Sequence, residues 1–218
     1  MKNNHLKAVI FDMDGVIIDS EPIESLAWEK ILLEYGKKPI ISEWGLIHKV
    51  GTKSIPYVLE KHGLIEKEEI IREKKKNFFI DLVLKNLILM PGFLELFKEL
   101  KKQKFKIAVA SNRYEEHVHL IIKKLGIAKS LDAVTGISPE VAVKPAPDIY
   151  LKTARVLGED PKNCLAIEDS EPGVLSAKAA GMYVIAVPNQ YTKHQDFSKA
   201  DKIVKSLSEI TTQMLEEL

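Results

Sequence analysis

The sequence predicts an α/β protein: a doubly wound parallel sheet core with an inserted all-helical domain. Short apolar runs alternate with helical stretches from about residue 91 onward, which is the pattern of a parallel sheet covered by helices. One further apolar run, Ala8-Val-Ile-Phe11, stands near the start and needs that sheet to pair with. Between the two, residues 18–86 carry helical period, many charges and no convincing strand. The expected division is therefore a core of residues 1–17 and 87–218 and a cap of residues 18–86.

The elements follow in order. In the cap, Pro22 near a helix start, the spacing Ile23, Leu26, Ala27, Ile31 and the stop at Gly36 define one helix. Ile55 to His62, closed by Gly63, and the charge-rich stretch Glu66 to Asn86 supply two more. In the core, helices are expected over Phe93–Gln103, Glu115–Leu125, Pro147–Leu157 and Gly173–Ala180. Strands are expected over Lys106–Ala110, Ala133–Thr135, Cys164–Ile167 and Tyr183–Val187, with Val141-Ala-Val as another apolar run that ends on a polar group, Lys144.

Composition narrows the function classes. A net charge of +1 provides no electrostatic reason for a nucleic-acid or anionic-membrane partner. No apolar run is long enough to span a bilayer, and Met1-Lys-Asn-Asn-His lacks a signal-peptide core, so a cytoplasmic setting is expected. The single cysteine, Cys164, lies in an apolar run and reads as a small buried side chain. The chain is expected to act as a monomer.

The chemistry starts from strand ends. A parallel strand delivers the residues after it to the sheet's carboxyl edge, where open α/β sheets hold ligands. Asp12 and Asp14 follow the first strand, Ser111 the second, and Glu168 and Asp169 a later one. Like charges about 4 Å apart repel by roughly 4 kcal/mol at an effective dielectric near 20, so such a cluster calls for protons or a cation. Lys144 offsets only one charge. Oxygen donors without His or Cys favour Mg2+ over zinc, and magnesium in turn suggests a phosphate ligand. In that chemistry Asp12 attacks phosphorus and forms an aspartyl-phosphate. Asp14 serves as general acid and then base. Ser111 bonds phosphate oxygens, and Lys144 neutralises the phosphate and holds the nucleophile.

Taken singly, each stretch has an ordinary reading: Asp12-Met-Asp14-Gly15 as an acidic turn, Ser111 as a helix cap, Lys144-Pro145 as a surface turn, Glu168-Asp169-Ser170 as a helix N-cap. Together and in this order, Asp12-Met-Asp14-Gly15-Val16, Ser111-Asn112, Lys144-Pro145 and Glu168-Asp169-Ser170 with Gly173 resemble the four motifs of the haloacid dehalogenase superfamily. The resemblance spans nearly the whole chain. It implies a Rossmann-like core with a helical cap inserted after the first motif, beginning near Asp19-Ser20-Glu21. It implies phosphate binding by Ser111, Asn112 and Lys144. It also implies a magnesium site formed by the Asp12 carboxylate, the Asp14 carbonyl and Asp169, with Glu168 nearby or bonded through water.

The cap is similar to that of the subclass holding phosphoglycolate phosphatases, sugar-phosphate phosphatases and β-phosphoglucomutase. The implied function is a magnesium-dependent phosphatase acting on a small phosphorylated metabolite. β-Phosphoglucomutase-type transfer is the alternative, and Ser54, which stands where that enzyme carries an arginine three residues after the cap glycine Gly51, weighs against it. A phospho-accepting signalling module is the alternative of another class. His48, Gly51 and Lys53 in the cap and Arg113 beside Ser111 are the candidates for contact with the rest of the substrate.

Overall fold

The computed structural model describes residues 6–38 and 53–216. The described chain divides into two compact units, one of Met1–Ile18 with Leu89–Leu218 and one of Asp19–Ile88.

The first unit is built on a six-stranded sheet in the order β3-β2-β1-β4-β5-β6, with every neighbouring pair parallel. Its strands are β1 (Ala8–Phe11), β2 (Lys106–Tyr114), β3 (Ala133–Ile137), β4 (Cys164–Glu168), β5 (Tyr183–Ala186) and β6 (Lys202–Ile203). β1 pairs with β2 on one side and β4 on the other, with Phe11 opposite both Val109 and Ile167. Asp12, Ala110 and Glu168, which follow these three paired positions, therefore come level where the strand order reverses, the place at which open α/β sheets bind ligands.

Alternation along β1 feeds two cores. Ala8 and Ile10 join a cluster with Ala108, Ala110, Ala166, Ile149, Tyr150, Val174 and Ala177. Ile149 and Tyr150 lie on the helix Asp148–Leu157, and Val174 and Ala177 on the helix Glu171–Ala179. Phe11 points the other way and meets Phe93 edge-on, with ring centroids 5.5 Å apart, where Phe93 opens the helix Phe93–Lys102. With both faces covered, the strands bury every residue of β1 and β4, as a parallel sheet requires. Cys164 is one of these, and burial pushes its thiol up to about 12, which leaves it inert.

The second unit holds three described helices: α1 (Glu21–Glu34), α2 (Ser54–His62) and α3 (Glu68–Lys85). α2 stops at Gly63, whose φ of 58° is the left-handed turn that glycine adopts without a Cβ penalty. Trp28, Ile31 and Leu32 of α1 pack with Ile55 and Val58 of α2 and Ile71 of α3, together with Leu64 between them. The remaining helices of the first unit are, in chain order, α4 (Phe93–Lys102), α5 (Glu115–Leu125), α6 (Asp148–Leu157), α7 (Glu171–Ala179) and α8 (Thr212–Glu216).

Two sequence expectations need correction. Val141-Ala-Val is not a strand: it is irregular chain with Val143 exposed, and Pro139, Pro145 and Pro147 around it cannot donate to a ladder. β2 runs four residues past Ala110, so Ser111 sits within a strand. The short β6 and α8 carry too little apolar period to have been foreseen. Among the described residues, no helix is long and apolar enough to cross a membrane.

Candidate active site

Lys144 is the centre of the cluster. Its side chain is buried and its three N–H groups are all engaged: with Asp12 Oδ1 at 2.5 Å, Glu168 Oε1 at 2.6 Å and the Ala110 carbonyl at 2.9 Å. The loop that presents it is held by Asn112, whose Oδ1 accepts from the Lys144 backbone N–H at 2.9 Å. Asn112 thus reaches the site by bracing the lysine's backbone. The ammonium also lies 4.9 Å from the centre of the Tyr150 ring.

Glu168 ends β4 and is fully buried. Besides Lys144, its Oε1 accepts from the Tyr150 hydroxyl at 2.6 Å and its Oε2 from Ser170 at 3.3 Å. The Ser170 hydroxyl in turn accepts from the Gly173 N–H at 3.3 Å, so it caps α7 and contacts the acid at once. Gly173 gives Glu168 its room, since a Cβ there would lie 2.0 Å from the carboxyl group.

Asp12, Glu168 and Asp169 are all buried, and each offers an oxygen within 4.8 Å of the others. Among the described residues, the ammonium of Lys144 pairs with two of these acids, Asp12 and Glu168. Burial pushes the Asp12 carboxyl from 3.8 up to about 7; Lys144 opposes the shift, while Glu168 and Asp14 add to it. Burial works to lower the Lys144 pKa, but Asp12 and Glu168 outweigh it and hold the ammonium above the ordinary lysine value. Burial, with Glu168 next, likewise holds the Tyr150 phenol well above its usual range, so it stays a proton donor. A surplus of buried carboxylate oxygens, with no His or Cys in the group, suits a hard divalent cation.

Asp14 stands differently. Its carboxylate is gripped by Arg113, with Nε at 2.9 and 2.8 Å from Oδ1 and Oδ2 and Nη2 at 2.8 Å from Oδ1. Arg113 is thereby paired with an acid of the first motif. Ser111 is fully buried at the carboxyl side of β2, and its Oγ accepts from the Arg113 N–H at 3.2 Å. It does not cap α5, which begins after Tyr114.

The structure thus brings Asp12, Lys144, Glu168 and Asp169 together, with Asn112 bracing the Lys144 backbone, and separately couples Asp14 and Ser111 to Arg113. Lys53 is exposed in the helical unit, immediately before α2. His48 and Gly51 lie outside the described residues. Tyr150 and Asn189 are participants that sequence reasoning missed. Tyr150 reads as one more apolar position of α6, and Asn189, whose Nδ2 donates to Asp169 Oδ2 at 2.7 Å, reads as a turn residue.

A model of the haloacid dehalogenase-like hydrolases matches residues 6–181 of the chain. The putative phosphatase YhcW of Bacillus subtilis is 30% identical over 96% of this chain and 96% of its own length. Beta-phosphoglucomutase of the same organism is 31% identical over 97% of this chain and 95% of its own. Among solved structures, CbbY from Rhodobacter sphaeroides in complex with phosphate superposes with a TM-score of 0.82 at 25% identity, covering 98% of this chain and all of that one.

Proposed function

The chain belongs to the haloacid dehalogenase-like hydrolase family and is a phosphoric monoester hydrolase; from that premise we propose that it is a magnesium-dependent phosphatase for a small phosphorylated metabolite, of the sugar-phosphate kind, working as a cytoplasmic monomer. The observation that supports this reading most is the buried trio Asp12, Glu168 and Asp169 around one lysine. Magnesium held by the Asp12 and Asp169 carboxylates and the Asp14 carbonyl, with Glu168 close by, would supply charge neutralisation for the phosphoryl group.

The protein's own groups then divide the work. The Lys144 bond to Asp12 Oδ1 keeps the nucleophilic carboxylate in place. An Asp12 oxygen attacks phosphorus while the ester P–O bond breaks, and Asp14 gives a proton to the departing oxygen. Because Arg113 holds Asp14 from the side, that proton transfer requires the pair to loosen. Asp14 next takes a proton from water, the water oxygen attacks phosphorus, and the bond to Asp12 breaks to release inorganic phosphate. Ser111 and Lys144 stabilise the phosphoryl oxygens throughout. Substrate contacts from His48, Gly51, Lys53 and Arg113 complete the reading.

A panel of sugar phosphates and other phosphomonoesters, assayed for inorganic phosphate with Mg2+, tests it. Release from at least one, lost in Asp12→Asn, is the expected result. Silence across the panel overturns it. The kinship with beta-phosphoglucomutase favours a second reading, intramolecular transfer between sugar hydroxyls. Conversion of β-glucose 1-phosphate to glucose 6-phosphate faster than its hydrolysis would establish that instead, whereas Ser54, in the place where the resemblance puts the mutase's arginine, weighs toward hydrolysis.

A further inference from the structure

Asp169 is fixed from two sides. One side is Gly15, whose φ is 76°: a Cβ on it would lie 2.1 Å from Asp169 Oδ2 and 2.8 Å from Asn189 Nδ2. The other side is Asn189, which donates to that same Oδ2 at 2.7 Å. The amide's orientation follows from its partners. Asn189 Oδ1 accepts from the backbone N–H groups of Tyr191 at 2.9 Å and Thr192 at 3.2 Å. Only an oxygen can accept two N–H bonds, so the NH2 end is the one turned to Asp169.

The loop that carries Asn189 is itself tied. The Asn189 N–H donates to the hydroxyl of buried Thr192 at 3.0 Å, and the Asn189 carbonyl accepts from the Lys193 N–H at 2.9 Å. Where the loop leaves β5, the Val187 N–H donates to the Glu168 carbonyl at 2.7 Å, which anchors it to the chain beside Asp169.

The choice of a neutral donor matters. Asp14 is bound by a guanidinium that cancels its charge, but the amide on Asp169 orients the carboxylate and leaves the charge in place. We propose that Asn189 is a positioning residue for the divalent cation: it holds one oxygen of Asp169, so that the carboxylate meets the ion already oriented. Carboxylates bound to metals depend in this way on the hydrogen bonds made to them from outside the ligand set. The inference rests on the magnesium reading above.

The test counts metal directly. Mn2+ is titrated as the stand-in for magnesium into the purified full chain, and the free ion is read by electron paramagnetic resonance. Asn189→Ala is expected to raise the dissociation constant by about 10- to 100-fold. Thr192→Val, which removes the hydroxyl that braces Asn189, is expected to raise it by a smaller factor. In turnover, the loss in Asn189→Ala is expected in the magnesium concentration required, with most of kcat recovered when Mg2+ saturates. An Asn189→Ala protein that folds, melts lower and binds Mn2+ as the native chain does would overturn the inference while leaving the phosphatase reading intact. If that variant does not fold, an unchanged Mn2+ affinity in Thr192→Val overturns it equally. A native chain that takes up no Mn2+ would sink the metal reading and this inference with it.

Discussion

The two units of the molecule handle charge in opposite ways. In the α/β unit, Asp12, Lys144, Glu168 and Asp169 are buried, and these are the Asp, Glu and Lys side chains buried among the described residues. In the helical unit the described buried side chains are apolar apart from Ser20, and the charges pair at the surface, as in Arg72 with Glu68 and Lys74 with Glu34. Buried ions are costly unless paired, whereas exposed pairs contribute little. The α/β unit therefore carries an electrostatic strain that a ligand can relieve, and the helical unit rests on apolar packing that is indifferent to pH.

The contrast can be broken most directly at Asp12. Replacing it with Asn should cut turnover by about a thousandfold or more, because the attacking oxygen is gone, while circular dichroism stays native. Retained turnover would remove the buried cluster from the chemistry. Next in size is Lys144→Met, which leaves Asp12 and Glu168 buried without their cation. Urea denaturation should show a loss of about 3–5 kcal/mol, and activity should vanish.

Ile71→Ala, in the apolar core of the helical unit, should cost about 2–5 kcal/mol and leave a cavity, with a loss that is the same at pH 5 and pH 8. A pH-dependent loss there would blur the distinction between the units. The sharpest version of the distinction is the pH dependence itself. With the Asp12 pKa raised from 3.8 to about 7 in the folded protein, the folded state keeps a proton that the unfolded chain releases. That contribution to stability is complete below the unfolded value and is lost as pH rises through the folded one. In EDTA, the melting temperature should therefore fall between pH 5 and pH 8, and Asp12→Asn should flatten the fall. A native curve that rises over this interval would contradict the buried-charge account. Smallest of all, Arg72→Ala removes an exposed pair 3.9 Å apart and should change stability by no more than a few tenths of a kcal/mol.

What the sequence made legible was whatever carries a local period or a local stop. Helices α1 to α3 fall within about two residues of their apolar spacing and glycine signals, since a 3.6-residue repeat and a left-handed C-terminus are short-range properties. β1 and β4 were visible because strands buried on both faces read as unbroken apolar runs. The loop of Val141-Ala-Val was misread for the same reason: an apolar run says nothing about whether a partner strand is available. In the site, motif order pointed to Asp12, Asp14, Lys144, Glu168 and Asp169, but the contacts that orient Asp14, Glu168 and Asp169 were hidden. The Tyr150 hydroxyl, the Asn189 amide and the Arg113 guanidinium gain meaning only across separations of 18 to 99 residues in the chain.

The chain leaves the α/β unit at Ile18 and returns at Leu89, and those two residues bridge each other in antiparallel fashion. Flanking bonds from Asp19 N–H to the Ile88 carbonyl and from Met90 N–H to the Ile17 carbonyl, both 2.9 Å, close the seam. For the sheet, the whole excursion has the endpoints of a tight hairpin, so its length adds little to the entropy of bringing β1 and β2 together. Such a seam lets the inserted stretch change in length or sequence while the strands on either side keep their register.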